Sequence, residues 1–104
     1  MKTLVLYSIA ATMYVIGGAL MKYSQGLTQA LPTLGLTALF SAGALIQARA
    51  MRYEQLGSSY ILVLGLEALL ALILGALLFG EQVSGRAAAG ITLVVMGIVL
   101  LRFP

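Results

Sequence analysis

Four apolar runs, each long enough to cross a bilayer, leave this chain little choice of fold. They cover about residues 3–21, 32–51, 58–79 and 85–103, 19 to 22 residues apiece. A helix of about 20 residues, rising 1.5 Å per residue, spans the roughly 30 Å of hydrocarbon in a membrane. Helices are the economical solution there, because each satisfies its own backbone polar groups in lipid. The links between the runs are short: KYSQGLTQAL, RYEQLG and GEQVS. Short links force neighbouring helices to run antiparallel and put both termini on one side. The expected fold is therefore all-α and integral to the membrane, a single domain over residues 1–104 with four transmembrane helices.

Local signals punctuate the runs. Gly26 breaks the first link, and Pro32 suits a helix start, where its missing N–H costs nothing. Ser84 stands where an N-cap of the last helix belongs. The opening MKTLVLYSIA has the lysine and apolar run of a signal peptide. That run is too long for a typical signal core and is followed at once by Lys22, so it is read as a retained helix.

Composition excludes most alternatives. Of 104 residues, 62% are hydrophobic and 9% charged, against about 25% charged in a soluble domain. There is no cysteine and no histidine, so disulfides, thiolate metal sites and imidazole ligands are absent. Three acids, Glu54, Glu67 and Glu81, offer no nucleophile–base pair, so no enzyme and no cofactor is expected. The net charge of +3 comes from Lys and Arg near the ends of the runs. They are headgroup anchors, not a nucleic-acid patch. Lys2, Arg49, Arg52 and Arg102 lie on the terminal side, Lys22 and Arg86 on the other. This bias favours cytoplasmic termini and is small enough to permit insertion both ways up.

One residue breaks the pattern. Glu67 lies near the middle of the third run, in ILVLGLEALLALILG. A charge at that depth costs roughly 3 kcal/mol on insertion scales. The surrounding Ile, Leu, Val and Phe residues each return a few tenths of a kcal/mol, so insertion is tolerated. Carboxylates in that position usually face an interior and mark a pathway. Tyr60, Val63, Leu64 and Glu67 share one helical stripe by i, i+3, i+4, i+7 spacing. Two readings of Glu67 stand together. It is a ligand and proton site, or it is packing glue that bonds across a dimer or to Tyr14 or Thr12. Gln47, within the second run, is either a cavity residue or buried glue. Gly90 and Gly97, seven apart on one face, suit close helix approach and are read as a dimer contact.

VIGGALMKYSQGLTQALPT (residues 15–33), Gly57 with Tyr60, LLFGEQV (77–83) and GITLVVMGIVL (90–100) resemble the small multidrug resistance family of the drug/metabolite transporters. The resemblance covers the whole chain and implies a bacterial inner-membrane, multi-pass, dimeric transporter, with antiparallel pairing as precedent. It implies a cation site of which Tyr60 is retained. It also implies departures: Tyr14 stands where members carry the helix 1 glutamate that binds proton and cation. Val63 replaces a Trp, and Gly43 a helix 2 serine. Members bend helix 3 at a glycine pair, of which Gly65 remains and Glu67 replaces the second.

Because the Tyr60 stripe faces the substrate chamber in such proteins, Glu67 is expected to replace the missing helix 1 carboxylate. The expected substrate and proton site is thus Glu67, Tyr60, Tyr14, Val63 and Gly43, with Gly90 and Gly97 packing the dimer. Four helices alone enclose little more than their own packing, so a homodimer, or a heterodimer with a paralogue, is expected. The first functional reading is proton-coupled export of a small organic cation or amine. The alternatives are a flippase-like carrier of a lipid-linked substrate and a non-transporting partner subunit.

Overall fold

The computed structural model describes residues 2–102. Four helices follow one another: α1 (Lys2–Tyr23), α2 (Ala30–Ala50), α3 (Leu56–Phe79) and α4 (Gly85–Arg102). A single 3-10 turn, Met51–Tyr53, extends α2. All four predicted runs are helical, and their described ends lie within two residues of the expected ones. The expected end of the last run at Phe103 lies outside the described residues. The spans Thr3–Tyr23, Ala30–Tyr53 and Leu56–Phe79 are long and apolar enough to cross a membrane. The apolar part of α4, Gly85–Leu101, is shorter. At 18 residues, α4 reaches about 27 Å and has little length to spare.

The helix ends follow from local chemistry. Pro32 is the third residue of α2, inside the first turn, where no intrahelical N–H is needed. Ser84 caps α4 as expected, its Oγ accepting from the Ala87 N–H at 3.1 Å. The α1–α2 link is tighter than its composition suggests. Gln25, Gly26 and Leu27 all have positive φ (51°, 73° and 72°), which only Gly26 adopts without strain. Buried Ser24 holds this left-handed turn together. Its carbonyl accepts from the Thr28 and Gln29 N–H groups at 2.9 and 3.0 Å, and its Oγ from the Leu27 N–H at 3.2 Å.

The helices lie nearly side by side. α1 packs against both α2 and α3, and α4 packs on α3. The molecule measures 44 × 35 × 18 Å, so its thin dimension is less than twice a helix diameter of about 10–12 Å. Its core is small: Tyr7, Ala11, Ala50, Leu62 and Val63. Within it the fully buried Tyr7 hydroxyl donates to Ser59 Oγ at 2.6 Å, joining α1 to α3. Gly65 lets α4 approach α3, since a Cβ there would run into Ile98 and Val94. α3 is helical without interruption past Gly65, so this glycine serves as the seat of α4.

Candidate functional site

Two adjoining cavities lie between α1, α2 and α3. The smaller, ≈ 370 Å³, is lined by Tyr14, Gln47, Tyr60, Val63 and Glu67, among others. The larger, ≈ 540 Å³, extends to Lys22, Phe79 and Glu81. Tyr14, Phe40, Leu64 and Glu67 belong to the walls of both, so the two are lobes of one chamber with Glu67 at their junction. A third hollow, along the face of α1 from Leu4 to Met13, has no charged lining.

The i, i+3, i+4, i+7 stripe of α3 forms one wall of the smaller lobe. Tyr60, Val63, Leu64 and Glu67 all line the smaller lobe. Val63 is 1% exposed and also belongs to the core, whereas Tyr60 is half exposed. Glu67 is partly buried and makes no hydrogen bond among the described residues. The two partners considered for it as packing glue are engaged elsewhere. The Thr12 hydroxyl donates to the Ser8 carbonyl at 2.8 Å, and the Tyr14 hydroxyl donates to Gln47 Oε1 at 2.7 Å. Neither hydroxyl is bonded to Glu67 among the described residues.

The opposite wall is set by small residues. The Tyr14 ring stacks on Phe40, centroids 5.4 Å apart and planes 22° from parallel. Gly43 makes room for it: a Cβ there would stand 2.7 Å from Tyr14 Cε1. Gly43 lines neither lobe, so its part in the site is to seat the tyrosine. Gly17 does the same for Phe40, at 2.8 Å from Cε2. Gly18, its neighbour, has open space and lines the larger lobe. Gly90 and Gly97 lie on α4, away from the chamber, with nothing within 4 Å of a notional Cβ.

The sequence left one of the following features open and gave no sign of the other two. Gln47 is 6% exposed and lines the smaller lobe, and its Nε2 has no hydrogen-bond partner among the described residues. A buried donor left unpaired costs about 1–3 kcal/mol. Phe40 had no signal beyond being apolar. Lys22, expected only to anchor in headgroups, pairs with Glu81 at 2.8 Å and lies 4.6 Å from the Phe79 ring centre. Tyr23 packs on the same ring at 5.2 Å. This cluster joins the ends of α1 and α3 at the mouth of the larger lobe. An ion pair with both side chains about half exposed adds about 0–1 kcal/mol.

Comparisons with known proteins agree with this architecture. The family model described as small multidrug resistance protein matches residues 2–94. The multidrug resistance protein EbrB of Bacillus atrophaeus is 36% identical over 98% of this chain and 87% of its own length. The nicotine metabolites export pump subunit NepA of Paenarthrobacter nicotinovorans is 30% identical, covering 95% and 84%. The guanidinium exporter of Escherichia coli is 32% identical, covering 90% of each.

Proposed function

The chain belongs to the small multidrug resistance family, and from that premise we propose that it exports a small organic cation or amine in exchange for protons, with Glu67 as the coupling carboxylate. Membership makes it a multi-pass inner-membrane transporter, not an enzyme, with four helices per chain assembled as a dimer. The observation that carries the finer reading is the place of Glu67. It is the one carboxylate within the described membrane spans, it lies where the two lobes meet, and no side chain among the described residues hydrogen-bonds it.

The chemistry follows from that place. A carboxyl group in an apolar chamber favours its neutral form, and an adjacent cation favours the charged form. When an organic cation enters, the carboxyl proton leaves to water and the carboxylate neutralises the cation. When a proton returns from the other side, the cation loses its partner and departs. Tyr14, Phe40 and Tyr60 offer aromatic faces to the same cation. EbrB, NepA and the guanidinium exporter are named for multidrug resistance, nicotine metabolites and guanidinium, a range that suits an organic nitrogen cation here. A lipid-linked anion is less well served. Arg49 lines neither lobe, and Lys22, the one basic residue that does, is paired with Glu81.

A chamber walled by only three helices of a thin molecule needs a second chain to enclose a path. Gly90 and Gly97 are the proposed contact, since their face of α4 has room for a close helix. The partner is a second copy, antiparallel by precedent. Tyr14 at the helix 1 position and the word subunit in the name of NepA favour a second reading, pairing with a paralogue that brings its own helix 1 carboxylate.

The deciding experiment is proton release from purified dimer on adding guanidinium, polyamines and quaternary ammoniums. Release that vanishes in Glu67→Gln, with assembly intact, is the expected result. Folded dimer that releases no proton with any of these cations, or releases it equally well in the variant, would sink the coupling reading.

A further inference from the structure

The chamber holds a second polar group. Gln47 is bound at one end only: its Oε1 accepts from the Tyr14 hydroxyl, and its Nε2 has no partner among the described residues. Its residue is 94% buried, being 6% exposed, and it lines the smaller lobe with Glu67 and Tyr60. Sequence gives no reason for a lone amide at this depth of α2. Packing glue would be bonded at both ends, because a buried donor without an acceptor is a net loss. Tyr14 stacks on Phe40 and is seated by Gly43, which fixes its hydroxyl and hence the bonded end of the amide.

We propose that Gln47 donates a hydrogen bond to the substrate, and that the chamber selects organic cations carrying an acceptor oxygen or nitrogen a few bonds from the charged centre. Amino ketones, amino amides and amino esters are of this class; bare alkylammoniums are not. The inference rests on the reading of Glu67 as the cation site. Glu67 meets the positive nitrogen, and the Gln47 amide, whose Nε2 is covered as the side chain stands, turns into the same lobe to meet the acceptor. A site built to hydrogen-bond a substrate group rejects the analogue that lacks it far more strongly than it rejects a missing methylene.

The test uses two cations of one shape. Acetonyltrimethylammonium and isobutyltrimethylammonium differ by a carbonyl oxygen in place of a methyl group. Binding of each to the purified dimer is measured by titration calorimetry, for wild type, Gln47→Met and Glu67→Gln. The expected result is about ten-fold tighter binding of the ketone to wild type, falling to near parity in Gln47→Met. Parity in wild type, a preference that survives Gln47→Met, or no binding of either cation would overturn the proposal. The wild-type ratio decides alone if the Gln47 variant does not assemble. Loss of both ligands in Glu67→Gln supports the coupling reading. Unchanged affinities there would sink that reading while the Gln47 ratio still reports on the amide.

Discussion

At the scale of single residues the site depends on close fits around Tyr14. Its hydroxyl donates to Gln47 Oε1 and so ties α1 to α2. Tyr14→Phe would leave both ends of that amide unpaired, and a loss of about 1–3 kcal/mol is expected. Thermal unfolding in detergent measures it. Gly43→Ala tests the same contact from the other side. A methyl group 2.7 Å from the ring must push Tyr14 off its stack or α1 off α2, at about 1–3 kcal/mol. Weaker cation binding should accompany the lost stability, since the displaced ring is a chamber wall. Lys22→Ala, in contrast, should shift stability by less than about 1 kcal/mol, because its ion pair is half exposed.

At the scale of elements the sequence was most informative about length and least about facing. Each span is strongly apolar, so its existence followed from composition alone. The stripe of α3 was also legible, because one carboxylate among apolar side chains marks a face and helical periodicity carries that face to Tyr60. α2 gave no such mark. It is apolar with small and polar residues scattered around it, and nothing local says that Phe40 and Gln47 point toward α1. Gly65 shows how an element-level expectation was redirected. It seats α4 against α3, where Ile98 and Val94 lie over it. Gly65→Val should separate the two helices and lower the melting temperature without reaching Glu67, so proton release by the surviving folded dimer should persist.

At the scale of the whole molecule the chain is a thin array whose useful face is unfinished. Three helices build the chamber, and α4 stands beside them, in contact with α3 and largely exposed. Its exposed apolar residues include Leu93, Val94, Met96, Val99 and Leu100. In lipid that exposure is no penalty, so shape and small residues, not hydrophobicity, decide association. Replacing Gly90 and Gly97 together with leucine should convert dimer to monomer in mild detergent, read by light scattering on a sizing column. Monomer that keeps its helical circular dichroism would assign the glycines to assembly; unchanged dimer would remove them from it.

The sequence by itself determined the membrane setting, the four helices, the buried carboxylate and the α3 face that carries it. These are local properties, fixed by run length, charge and helical spacing. Only the tertiary structure decided that Tyr14 meets Gln47 and Phe40, that Gly43 supports the site from outside its walls, and that Lys22 meets Glu81. Helices that are apolar on nearly every side carry no amphipathic stripe to say which face packs. Their rotations are settled by close packing of small residues against rings, which no single helix encodes alone.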